Sequence, residues 1–191
     1  MINFRIPFFG LICASRLVRM DTTAVYLLEN SAAAFWSSMR WSAGLALPFY
    51  LLLIMIRFDP ANQSEWHYFT AKFEIYALAW LVFPFVMERV CLYLKREKYT
   101  ILYLSAYNWL NCLYNIMFLL IGLALASHML TWEIAVSLSL GLMCAGTVWI
   151  GYMTRKILQL PFQTVIAIMM IELFINIMLD ILSVALVTAQ T

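Results

Sequence analysis

Charged side chains are scarce in this sequence: 12% of its 191 residues are Asp, Glu, Lys or Arg, against about a quarter in an ordinary soluble domain. A water-facing surface needs more, so a soluble globular fold is excluded. The few charges nearly cancel, to a formal net charge of +2, and no basic block points to a nucleic-acid partner. Enzymatic signatures are missing as well. There is no HExxH helix, no GxSxG elbow, no phosphate loop and no CxxC pair, so neither an enzyme nor a cofactor is expected. Cys13, Cys91, Cys112 and Cys144 lack metal-ligand spacing, and three of them fall inside apolar runs. They read as small packing residues rather than a zinc site or a disulfide. His67 and His128 read as solvated loop residues. Linkers rich in Gly, Ser or Pro are absent, and no internal repeat supports an inverted-repeat transporter.

Apolar residues fill the space that charge leaves. They make up 65% of the chain, and mean hydropathy is +0.88. A helix crosses the hydrocarbon core with about 20 apolar residues, and five stretches qualify: about 34–56, 73–94, 101–126, 133–152 and 162–187. The spacing therefore predicts an all-α polytopic membrane protein with one transmembrane domain over residues 31–191. Asn30 or Ser31 is placed to cap the first span. Pro48 and Pro84 should kink the first two spans, and Pro161 suits the first turn of the last. Residues 1–30 form a separate segment. Arg5 and the short apolar run behind it resemble a signal peptide only slightly, and no cleavage is expected. Phe4, Phe8, Phe9, Leu11, Ile12, Leu17 and Val18, interleaved with Arg5, Arg16 and Arg19, instead suit an amphipathic helix in the membrane interface.

Basic residues set the orientation. Arg5, Arg16, Arg19, Arg40, Lys95, Arg96, Lys98, Arg155 and Lys156 fall on one side, and only Arg57 and Lys72 on the other. The positive-inside rule then places the N-terminus in the cytoplasm and the C-terminus outside. Arg16, Arg19, Arg40, Arg89, Lys95, Arg96, Lys98, Arg155 and Lys156 are expected at lipid headgroups, with Arg40 snorkelling towards them.

Polar residues inside the spans need a reason to be there, because lipid penalises them. Glu172, Asn176 and Asp180 recur every four residues, on one face of the last span. They are expected to face protein or trapped water, with Glu172 neutralised or paired. Asn108, Asn111 and Asn115 of the third span are the expected partners. Ser105, Asn108, Cys112 and Asn115 follow the rhythm of a left-handed helix seam. Ser137, Gly141 and Ala145 form a small-xxx-small run, expected to touch another helix.

Two stretches carry a likeness to known proteins. Ala79–Trp80–Leu81–Val82–Phe83–Pro84–Phe85–Val86–Met87 with Ala106–Tyr107–Asn108–Trp109, and Phe35–Trp36 leading to Ala46–Leu47–Pro48–Phe49–Tyr50, resemble small, uncharacterised five-span inner-membrane proteins of proteobacteria. The resemblance covers about residues 30–190, and the layout is similar to that of YIP-type membrane-trafficking proteins. It implies a bacterial inner membrane and a five-span helical bundle, and it transfers no functional residue. The expected function is a non-enzymatic membrane subunit or scaffold that packs against lipids and other integral membrane proteins, or against copies of itself. The alternative is a small transporter or channel lined by the intramembrane Glu, Asn and Asp residues.

Overall fold

A computed structural model describes residues 5–58 and 64–188. Phe4, a residue of the expected N-terminal helix, lies outside them. The described chain is all-α: α1 (Arg5–Val18), a short 3-10 helix (Thr22–Leu27), α2 (Ala32–Arg57), α3 (Glu65–Tyr93), α4 (Glu97–Ala126), α5 (Trp132–Leu158) and α6 (Phe162–Thr188). Five of these helices, α2 to α6, are long and apolar enough to cross a membrane, and the protein is a multi-pass membrane protein. Local chemistry marks the ends. The Ser31 side chain accepts from the Ala34 N–H at the start of α2, and Thr131 does the same for Ile134 at the start of α5, each satisfying an orphan donor of the first turn. Gln159 closes α5 in the left-handed region, at φ 53°. The second span starts eight residues before its apolar run, at Glu65 rather than 73. Its extra turns are held by Tyr68, whose hydroxyl donates to the Ile54 carbonyl at 3.0 Å, and by the contact of Phe58 with the Tyr68 and Phe69 rings. A run of hydropathy cannot show such a contact.

Helix α4 is the axis of the bundle. Eight consecutive residues, Tyr103–Leu110, are buried, which an amphipathic surface helix never shows. Helix α2 lies alongside in the same direction. Leu52 touches the position of Gly122, Phe49 stacks on Phe118, Asn108 bonds Ser38, and Asn30 bonds the Lys98 carbonyl. Helix α3 runs the opposite way. Its outer turns hold α2 through Tyr50 to the Lys72 carbonyl and Tyr76 to the Ala43 carbonyl. From Phe83 onward it turns its buried residues Phe83, Met87 and Cys91 to α4 and the core. The ends of α1, α3 and α5 and the starts of α2, α4 and α6 share one end of the bundle, here called the basic end.

Helix α1 exists as expected, but only in part as an interfacial helix. Phe8, Phe9, Arg19 and Met20 are exposed, whereas Cys13, Ala14 and Leu17 are fully buried. Gly10 and Ala14 pack on Trp109, and Leu11 packs against the same cluster. Trp109 lies about 18 Å along α4 from Glu97 at 1.5 Å per residue. The helix therefore dips into the bundle, because its small residues fit a large ring there.

Its other end is fixed by an ion pair. The Arg16 guanidinium meets Asp21 at 2.6 Å, the Thr23 hydroxyl and N–H donate to the same carboxyl, and Tyr152 of α5 donates to the Met20 carbonyl. The Thr23 hydroxyl, and then Arg16, hold the Asp21 carboxyl below its ordinary value of 3.8. A carboxyl whose value falls on folding contributes stability above its unfolded value and loses it as pH drops through the folded one. Acidification below about pH 3.8 should thus loosen the α1 hinge. Hydrogen exchange at Thr23 and Ala24 should accelerate there in the native protein and lack that pH step in Asp21→Asn. An unchanged step in the variant would assign it to another group.

Candidate functional site

The intramembrane polar residues do not gather into one seam. Glu172 points into the bundle, but its partner is Tyr107, whose hydroxyl donates to Oε1 at 2.6 Å. Tyr107 is itself clamped by Phe83, stacked at 4.2 Å between ring centroids. Glu172 lies ten residues into α6 and Tyr107 ten into α4, so the two parallel helices meet at equal depth. Of the expected partners from α4, Asn111 sits beside the Tyr107 hydroxyl, and the other two turn elsewhere. Asn108 donates to Ser38 of α2 at 3.0 Å, and Asn115 donates to the Asn111 carbonyl of its own helix at 2.8 Å. The physical reason is rotation: Asn108 is one residue past Tyr107, about 100° round the helix, and so faces α2 while Tyr107 faces α6.

Asn176 and Asp180 also depart from expectation. Both are exposed, and neither makes a hydrogen bond or ion pair to a described residue, although the Asp180 charge reaches Tyr50 of α2. The polar contact near this outer end is Lys72 of α3, whose Nζ donates to Ser183 at 2.6 Å and sits 5.5 Å from the Tyr68 ring centroid. Sequence reasoning counted Lys72 only as a loop charge. Its signal was available: Tyr68, Lys72 and Tyr76 recur every four residues along α3, a polar stripe like that of α6.

The small-residue run of α5 needs correction too. Ser137 and Gly141 are exposed, and a Cβ at Gly141 would meet nothing within 4 Å. The glycines in close contact are Gly146, whose Cβ would lie 2.5 Å from the Tyr114 ring, and Gly151, 2.9 Å from the Met169 sulfur. Ala145, next to Gly146, is half-buried, and the helix turns between Gly141 and Gly146 from the bundle's outside to its inside. Ser105 and Cys112 are buried within α4 as expected of a seam, and the Ser105 hydroxyl has no partner.

Most of the basic residues expected at headgroups are exposed, including Arg19, Arg40, Arg89, Lys95 and Arg155. Several also hold the protein. Arg16 pairs with Asp21, Arg40 reaches back to the Trp36 carbonyl, Arg96 donates to the Gln159 carbonyl, and Lys156 lies over Tyr152. Arg40 folding four residues back towards the basic end is the geometry of snorkelling.

A cleft of about 710 Å³ opens between α2 and α3 at the basic end, floored by α4 and lined by Trp36, Met39, Pro84, Phe85 and Leu104, with Glu88 and Glu97. A smaller one, about 400 Å³, lies under α1 beside Ser37, Ser105 and Trp109. Glu172, Asn176, Asp180, Asn111 and Asn115 line neither. Among the described residues no group of His, Cys, Asp and Glu could hold a metal ion. No family, curated protein or solved structure matches the chain.

Proposed function

We propose that the protein is a non-enzymatic membrane subunit or scaffold that packs against other integral membrane proteins or copies of itself. The outward-facing Asn176 and Asp180 carry this reading. Asn176 lies fourteen residues from Phe162 and eleven from Val187, at the middle of the span. An amide facing hydrocarbon without a hydrogen bond costs roughly 2–7 kcal/mol, and Asp180, seven residues from Val187, adds a smaller cost than a carboxylate at the centre of the span would. A protein surface over α6 removes both costs. The exposed Ser137 and Gly141 of α5 give a second outward face on which a backbone can approach closely. A small transporter or channel has less support, because the residues that would line its path are split between Tyr107, Ser38 and the outer surface.

Native mass after mild detergent extraction tests the reading. The protein should run as an assembly larger than its 22.1 kDa chain. Asn176→Leu with Asp180→Leu should weaken that assembly by about 3–30-fold, the worth of one or two interhelical hydrogen bonds. A monomer unaffected by either change would overturn it.

The bacterial inner membrane, with the N-terminus cytoplasmic and the C-terminus periplasmic, belongs to the same proposal. It rests on the likeness to proteobacterial five-span proteins and on the concentration of Lys and Arg at the basic end. A reporter active only in the periplasm should work when fused at Thr191 and fail when fused between Lys95 and Lys98. The reverse pattern would invert the protein.

A further inference from the structure

We propose that the cleft between α2 and α3 binds one phospholipid carrying a primary ammonium headgroup, drawn from the leaflet at the basic end. The cleft is open towards lipid, because among the described residues the hydrogen bonds that tie α3 to α2 lie in its outer turns, through Tyr50, Tyr68 and Tyr76. Beyond Pro84, whose ring withdraws a backbone N–H from the helix ladder, α3 packs on α4 and leaves α2 unaccompanied.

The depth of the cleft matches one acyl chain in one leaflet. Its lining on α3 runs from Leu92, at the helix end, to Leu81, about 16 Å at 1.5 Å per residue. Half of a hydrocarbon core of about 30 Å is the same length. Its volume, about 710 Å³, lies within the roughly 300–1,000 Å³ of small-molecule sites. The deeper walls are apolar: Met39, Leu81, Val82, Pro84 and Leu104.

Charge selects the headgroup. The charged residues lining the cleft are both carboxylates, Glu88 one turn from the end of α3 and Glu97 at the start of α4. Of the neighbouring cations, Arg96 donates to the Gln159 carbonyl and Lys98 lies over Tyr99, while Lys95 is exposed in the turn between α3 and α4 and does not line the cleft. Arg89 lies 5.5 Å from the Phe85 ring centroid, which occupies an aromatic face that a quaternary ammonium would seek. What remains at the mouth is a pair of hydrogen-bond acceptors for an N–H bearing cation. Arg40, one residue past the lining residue Met39, donates to the Trp36 carbonyl at 3.3 Å and is not itself part of the lining. The carboxylates alone therefore select for the ammonium of the headgroup.

The full-length protein, purified from vesicles of equal parts phosphatidylethanolamine, phosphatidylcholine and phosphatidylglycerol, gives the test by native mass spectrometry. One phosphatidylethanolamine per chain should be retained, with phosphatidylcholine as the control of equal charge and no N–H donor. Glu88→Gln with Glu97→Gln should reduce that preference about tenfold, one charge-assisted contact's worth. Both residues are exposed, so the fold is unaffected. Leu81→Trp, also at an exposed position, should narrow the cleft and weaken retention of any lipid. Equal or stronger retention of phosphatidylglycerol, a preference unmoved by the Gln pair, or a protein helix cross-linked into the cleft in native membranes would overturn the proposal.

Discussion

Gly10→Ala should destabilise the folded bundle by about 1–3 kcal/mol through overpacking, although it adds one methyl group to an exposed-looking N-terminal helix. The added Cβ would overlap the six-membered ring of Trp109. Trp109 is 2% exposed and sits in the cluster with Ala14 and Cys112, backed by Trp41, Leu45 and Leu113, with open space only on the side of the smaller cleft. The methyl must therefore turn the ring out of its packed place or push α1 off α4. Unfolding of the detergent-solubilised protein reads the loss, and a companion variant separates overlap from helix propensity. Propensity alone would make Ala more stable than Gly by roughly 1 kcal/mol. In a Trp109→Leu background the overlap is gone, so Gly10→Ala should become neutral or stabilising, a coupling in the range of about 0.5–3 kcal/mol. Equal cost in both backgrounds would mean that α1 does not lie on Trp109.

That contact also shows where sequence reading stopped. The five spans are legible because length and hydropathy are local properties, and each apolar run becomes a helix. Helix ends are less so: the turns from Glu65 to Lys72 are polar enough to read as loop, and Tyr68, reaching across to Ile54, makes them helix. The amphipathic pattern of α1 suits a membrane surface, but Gly10, Ala14 and Cys13 equally form a notch for a ring. Only the position of Trp109, about a hundred residues away, chooses between the two. Rotation is the hardest to read. The four-residue spacing of Glu172, Asn176 and Asp180 correctly gives one stripe, but over two turns that stripe passes from the bundle at Glu172 to the outside at Asp180. The Ser137–Ala145 stripe of α5 makes the opposite passage, so a motif that is real in sequence is on the outer face in space. In a membrane protein both faces of a helix are apolar, and the periodicity that separates inside from outside in a soluble helix carries little contrast.

Tyr107→Phe should cost more than Glu172→Gln, and the difference tests what the carboxyl does. Removing the Tyr107 hydroxyl leaves Glu172, turned into the bundle ten residues along its span, without its hydrogen-bond donor. Desolvation of an unsatisfied group costs about 1–3 kcal/mol, and more for a charged one. Phe83 still stacks on the ring in the variant, so packing is retained and the loss reports what the hydroxyl holds, Glu172 first and the Asn111 side chain beside it. Glu172→Gln keeps an acceptor at the same place, and the hydroxyl at 2.6 Å can still donate to it. Near-wild-type stability is expected. The two partners should not add: Tyr107→Phe together with Glu172→Leu removes donor and acceptor alike and should unfold later than Tyr107→Phe alone, since an apolar pair of similar shape leaves nothing unsatisfied. Denaturant unfolding in mixed micelles ranks the three variants. Assembly by native mass then divides the roles. A structural carboxyl predicts that Glu172→Gln assembles normally and leaves cells unaffected. A carboxyl that carries protons predicts normal assembly with a lost proton-linked flux in vesicles. If Tyr107→Phe proves neutral while Glu172→Gln does not, the carboxyl is held by a group of another chain, and the face of α6 that carries Asn176 is where to look for it.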